Sequence, residues 1–222
     1  MYIEINGIAK SYRRREVLRD VSFTAKDGEC IGILGSNGCG KSTLLSILAG
    51  VQSADKGSFL LEGDDLFRYT KILREQVGYV PQGTPLMEEL TARDNLRLWY
   101  TPAETARELD GGVLEMLGIG EFLKIPVSKM SGGMKKRLSI GCAVAKHPSV
   151  LLLDEPMTAL DLACKQRIFT YLEERKRQGD IVILVTHDVM EMQLCDRWYI
   201  LKDGVLTPYA YDGDREKLAA SL

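Results

Sequence analysis

The chain has 222 residues, 45% hydrophobic and 27% charged, with a net charge of −2. That content fills the core of one ordinary domain and excludes a disordered or fibrous protein, while the near balance of charge gives no overall pull toward nucleic acid. Five cysteines (Cys30, Cys39, Cys142, Cys164, Cys195) without C-x-x-C spacing, and a start without an apolar leader, point to a reducing cytosol and against a disulfide or zinc framework.

From the N-terminus, "YIEINGI", "VLRDVSFTA" and "CIGILG" read as strands separated by turn residues. Helical spacing begins at "KSTLLSILAG", where Leu44, Leu45, Leu48 and Ala49 repeat and Gly50 can cap the end. "FLLEG" and "VGYVPQ" are two further short strands, the second closed by Pro81. Residues 83–146 read as a helical insertion: Thr91 is a candidate N-cap, "ETARELDGGVLEMLGI" is a broken helix, and "SGGMKKRLSIGCAVAKH" is a third helix ending before Pro148. "VLLLD" and "IVILVTH", joined by a helix carrying Ile168, Phe169 and Leu172, have the continuous apolar character of parallel strands buried on both faces. These runs are far shorter than the ~20 residues of a membrane span. "WYILKDGVL" reads as a hairpin through Asp203-Gly204.

The strongest chemical signal is Gly35-Ser36-Asn37-Gly38-Cys39-Gly40-Lys41-Ser42-Thr43, a G-x-x-x-x-G-K-[ST] match between a strand and a helix. Its glycines let backbone N–H groups curl around a β-phosphate, the helix N-terminus adds partial positive charge, Lys41 reaches the β and γ oxygens, and Ser42 ligates magnesium. The apolar run to Leu153 ends in Asp154 and Glu155, so that a buried strand delivers a carboxylate to the ligand edge of a sheet. There Asp154 can hold magnesium, usually through water, and Glu155 can polarise an attacking water. Gln82 is also at a strand end; alone it is a turn residue, but its amide can both coordinate magnesium and hold water. His187 follows an apolar strand in the same way, and alone it reads as a structural histidine.

In "KMSGGMKKR" a glycine pair opens a basic helix, the build of a second anion site. Of two basic runs, Arg13-Arg14-Arg15 beside Tyr12 reads as a solvated loop, the alternative being contact with phosphates or anionic lipid, and Lys135-Lys136-Arg137 reads as an exposed helix face.

In this order, the phosphate loop, Gln82, Ser131-Gly132-Gly133, Leu153-Asp154-Glu155-Pro156, Ala159-Leu160-Asp161 and His187 resemble the nucleotide-binding subunits of ABC transporters over essentially the whole chain. The resemblance implies an α/β fold. A P-loop NTPase (RecA-like) core, about 1–82 and 147–222, would carry an N-terminal antiparallel β subdomain and an inserted α-helical subdomain, about 83–146. It implies ATP and Mg2+ as ligands and Tyr12 stacked on adenine, the alternative being a tyrosine packed on the first sheet. Ser131-Gly132-Gly133 would close over the γ-phosphate from a second nucleotide-binding subunit, a homodimer being favoured. Asp161 would lie in the loop crossing to that subunit, and His187 would touch the γ-phosphate. Gln82 would couple to a transmembrane permease, with residues 86–100 facing it and Trp99 either exposed there or in the core. Membrane contact would run through the permease alone, at the cytoplasmic face.

The family's usual Leu-Ser-Gly-Gly-Gln has Met130 and Met134 at its ends here, a form similar to drug, antibiotic and polysaccharide exporters. Cys39 stands where alanine or serine is usual, either as a small residue that fits or as a thiol made acidic by the helix N-terminus. A soluble ABC-type ATPase with a non-transport role, and a regulatory module without turnover, are the alternative readings.

Overall fold

The computed structural model describes residues 1–13, 15–158, 160–186 and 188–211. The described strands form two sheets. The first is antiparallel, in the order β2-β1-β4-β5: the long hairpin of β1 (Tyr2–Tyr12) and β2 (Arg15–Lys26), then β4 (Lys56–Leu61) and the short β5 (Asp64–Asp65). The second runs β10-β9-β3-β8-β7-β6 and contains β3 (Cys30–Leu34), β6 (Val77–Val80), β7 (Val150–Asp154), β8 (Ile181–Val185), β9 (Arg197–Lys202) and β10 (Val205–Tyr209). Its first five strands in chain order are mutually parallel, and β10 returns antiparallel to β9.

The continuous apolar strands divide their side chains between two cores, as the alternation of Cβ directions requires. Val150 and Leu152 of β7, with Ile181, Ile183 and Val185 of β8, face the antiparallel sheet and helix α1 (Lys41–Leu48). Leu151, Leu153, Val182 and Leu184 face the helices on the other side. Helix α1 is thus buried between the two sheets, with Leu44, Leu45, Ile47 and Leu48 fully enclosed. Gly50 follows it in the left-handed region (φ 70°) and donates its N–H to Ile47.

A short helix α2 (Thr70–Gln76) precedes β6. Between β6 and β7 the described elements are all helical: α3 (Ala92–Leu96), α4 (Pro102–Leu109), α5 (Val113–Met116), two 3₁₀ turns and α6 (Gly132–Ala143). Thr91 caps α3 by accepting the Asp94 N–H, and Thr101 with Glu104 forms a reciprocal capping box on α4. The broken helix of the sequence divides at Gly111, which takes φ 93°. Helix α7 (Leu162–Arg177) buries Ile168 and Leu172, and the short α8 (Val189–Met192) leads to β9. Among the described residues no helix is long and apolar enough to cross a membrane.

The basic run on α6 departs from the sequence expectation of an exposed face. Lys136 is buried, and the Arg137 side chain is mostly covered between Phe122 and the carbonyl of Leu117. Lys135 reaches Glu88 at 3.0 Å. Trp99, left open between core and surface, is 57% exposed beside exposed Leu98.

Candidate nucleotide site

The parallel register brings the candidate residues to one sheet edge. Val80 pairs with Leu153, so Gln82 and Glu155, each two residues further on, leave the sheet at the same level. Ile33 pairs with Val185, which starts the glycine loop at that edge; His187 lies outside the described residues.

The loop from Gly35 to Lys41 closes tightly. Gly40 has φ 115°, and a Cβ there would meet Val17 and Leu18 at 3.0–3.1 Å. Gly35, at φ 156°, would put a Cβ 2.5 Å from the Leu201 carbonyl oxygen. Both positions therefore demand glycine. Lys41 is buried, and its ammonium donates to the carbonyls of Gly35 (2.6 Å) and Ser36 (3.0 Å) across the loop. Cys39 Sγ lies 4.0 Å from that ammonium.

Asp154 is 2% exposed, and burial pushes its carboxyl above the ordinary range. The Ser42 hydroxyl hydrogen bond, Lys41 and Lys136 oppose that shift, and the neighbouring Glu155 adds to it. Its Oδ2 is buried without a hydrogen-bond partner among the described residues. A carboxylate oxygen left over beside a hydroxyl, with the Gln82 amide nearby, is a hard-oxygen donor set that fits Mg2+, which needs few protein ligands when phosphates supply the rest. Glu155 takes φ 48°, a strained conformation for a side-chain-bearing residue, and its N–H donates to the Val185 carbonyl at 2.9 Å. Gln82 Nε2 donates to Glu155 Oε2 at 3.2 Å, and the Thr158 hydroxyl donates to the same oxygen at 3.3 Å.

These groups line a cavity of about 520 Å³ with Tyr12, Arg15, Asn37, Gly38 and Thr43. Tyr12 is 43% exposed at the end of β1, its hydroxyl donating to the Gln52 side chain and its ring lying 5.6 Å from the Lys10 ammonium. It is not a packed core tyrosine. Arg15, read in the sequence as part of a solvated loop, is exposed yet bonds the Gly38 carbonyl at 3.3 Å and faces the cavity.

Ser131, Gly132, Gly133 and Asp161 are absent from this lining and form a second group. Ser131 is exposed and caps α6, its Oγ accepting the Met134 N–H at 3.2 Å. Asp161 caps α7 by accepting the Cys164 N–H at 2.9 Å, and the Cys164 thiol reaches the Gly133 carbonyl at 3.6 Å. The glycine-pair group thus stands outside the lining of the cavity that the phosphate loop helps to form.

Sequence reasoning missed Lys136 and Glu191. Lys136 donates to the carbonyls of Pro81 and Gln82 at 3.0 Å each. Glu191, fully buried, accepts the Met157 N–H at 2.6 Å. The only sequence signal for Lys136 was its position one helical turn past the glycine pair.

The chain is similar to known proteins in sequence and in fold. The chain is 36% identical over 208 residues to the Nod factor export ATP-binding protein I of Sinorhizobium fredii, a match spanning 91% of this chain and 60% of that protein's length. It is 34% identical to the linearmycin resistance ATP-binding protein of Bacillus subtilis, over 91% of this chain and 67% of that protein. The ATP-binding subunit of an ABC transporter superposes with a TM-score of 0.84 at 28% identity, covering 99% of this chain and 94% of that one. A dimeric ATP-binding cassette in a post-hydrolysis state, bound to ADP and Pi, superposes with a TM-score of 0.82 at 27% identity, over 96% of this chain and 100% of that one. The ABC transporter family model matches residues 18–158, from β2 to the turn after β7, and on that match the chain belongs to the ABC transporter family.

Proposed function

We propose that the chain is an ATP-binding subunit that hydrolyses ATP between two head-to-tail copies and drives export through a separate membrane permease. The observation that carries this reading is the separation of the two motifs: Lys41, Ser42, Asp154, Gln82 and Glu155 line one cavity, from which Ser131-Gly132-Gly133 is absent. A second chain supplies the missing half. In this reading Tyr12 stacks on adenine, the loop N–H groups from Ser36 to Thr43 cradle the phosphates, and Lys41 leaves its loop carbonyls for the β and γ oxygens. Ser42, Asp154 and Gln82 hold Mg2+, whose charge offsets that developing on the phosphates. Glu155, oriented by Gln82 and Thr158, accepts the proton of the water that attacks the γ-phosphorus in line with the departing ADP oxygen, while His187 contacts the γ-phosphate.

The chain is one nucleotide-binding domain whose helical part, about 83–146, carries the surface turned to the permease. Met87, Leu98 and Trp99 are its exposed large apolar side chains. Export is favoured by the relatives named for Nod factor export and linearmycin resistance. Such a subunit works at the cytoplasmic face of the membrane, touching it through the permease.

The test is Glu155→Gln. Phosphate release should fall by about a hundredfold or more, the usual weight of a general base, and ATP should hold the variant as a dimer by light scattering. Wild-type turnover in this variant would overturn the assignment.

A further inference from the structure

Lys136 lies on α6 just past the Ser131-Gly132-Gly133 end and is 5% exposed. Its ammonium reaches out of the helix to a different segment, donating to the backbone carbonyls of Pro81 and Gln82 at 3.0 Å each. The Gln82 side chain in turn donates to Glu155 Oε2 at 3.2 Å. An unbroken chain of contacts thus runs from the glycine-pair helix through Lys136 and the backbone of Gln82 to the carboxylate at the end of β7. Burial disfavours the ammonium and lowers its pKa, while the charges of Asp154, Glu191 and Glu155 act to retain it. A cation kept in such a place, where an apolar side chain would pack more cheaply, points to a specific contact.

We propose that Lys136 is a positioning residue that ties the placement of α6 to the placement of Gln82, so that Gln82 orients Glu155 only when the glycine-pair end of α6 is correctly seated. The proposal rests on the reading of this site as an ATP hydrolase assembled from two chains. In that assembly the same helix presents Ser131 to the partner's nucleotide and holds Gln82 at its own. Lys136 therefore links the two sites of the dimer through a single side chain. Among the described residues its hydrogen bonds go to the carbonyls of Pro81 and Gln82, and it is not among the residues lining the cavity, which separates its effect on turnover from any effect on binding.

A double-mutant cycle on the full chain tests this, comparing wild type, Lys136→Met, Gln82→Ala and the double variant by ATP affinity and steady-state phosphate release. Lys136→Met should keep ATP affinity within about twofold and lose about tenfold or more in kcat, and the double variant should turn over no more slowly than Gln82→Ala alone. Lys136→Arg, which keeps donors for the two carbonyls, should recover most of the turnover. Should Lys136→Met fail to fold, Lys136→Gln takes its place in the cycle under the same criteria. Losses that multiply in the double variant, or wild-type kcat in Lys136→Met, would overturn the inference while leaving the hydrolase reading standing. A wild-type chain that binds ATP but never releases phosphate would overturn the hydrolase reading and the inference with it.

Discussion

Glu191 is a carboxyl group held out of water on α8: it is 0% exposed, one oxygen accepts the Met157 N–H, the Thr186 hydroxyl bonds it, and Oε2 has no hydrogen-bond partner among the described residues. Burial pushes its pKa from the ordinary 4.5 up to about 7, helped by the charge of Asp188, with Thr186, Met157 and Lys165 opposing. The folded chain therefore retains a proton that the unfolded chain has already lost between these two values. Stability is greatest below the window and falls as pH rises through it, by up to ~3 kcal/mol. Glu191→Gln keeps an acceptor for Met157 and cannot ionise. Its urea unfolding free energy relative to wild type should move from near zero or slightly unfavourable at about pH 5 to favourable by ~2 kcal/mol at about pH 8. A difference independent of pH would show that the carboxyl titrates alike in the folded and unfolded chains, so that burial does not shift it.

The strand–loop–helix unit of β3 and α1 depends on two glycines that no other residue can replace without moving its neighbours. Gly40→Ala would place a methyl group in the left-handed region and against Val17, lowering stability by about 1–3 kcal/mol and opening the loop around Lys41. Thermal melts should show the loss, and ATP affinity should fall with it; an unchanged melt and affinity would mean that the loop tolerates the side chain. This unit was fully legible in the sequence because its constraints are local: a glycine motif, an apolar strand before it and helical spacing after it. The caps at Thr91 and Gly50 were legible for the same reason. Helix α2 was not, since only Leu73 is buried in it and no apolar stripe marks its face. Nor was the role of Lys136 within α6. Three successive basic residues look alike in a linear reading, yet each step along a helix turns the side chain by ~100°, so 135, 136 and 137 point in three directions. One meets Glu88 at the surface, one enters the body of the protein, and one lies over Phe122. Only the fold decides which.

At the scale of the molecule, the candidate cavity lies at the carboxyl edge of the parallel sheet, while the Ser131 and Asp161 caps stand outside its lining. The pairing of Gln82 with Glu155 could be anticipated from strand ends alone, whereas the exclusion of Ser131-Gly132-Gly133 from the cavity lining needed the fold. If the groups meet only between chains, Ser131→Arg should leave ATP binding by a single chain nearly unchanged, because its side chain is exposed and outside the cavity. Turnover should nevertheless be abolished, since an arginine at the cap of α6 would block the partner's nucleotide from the glycine pair. The decisive measurement mixes two inactive chains. Ser131→Arg supplies an intact phosphate loop, Lys41→Ala supplies an intact Ser131-Gly132-Gly133, and a head-to-tail pair of the two contains one complete site. Random pairing makes half the dimers mixed, each with one working site of two, so phosphate release should return to about a quarter of the wild-type rate at most. A site built within one chain predicts no recovery at any mixing ratio, and activity in Ser131→Arg alone would remove the partner from the mechanism altogether.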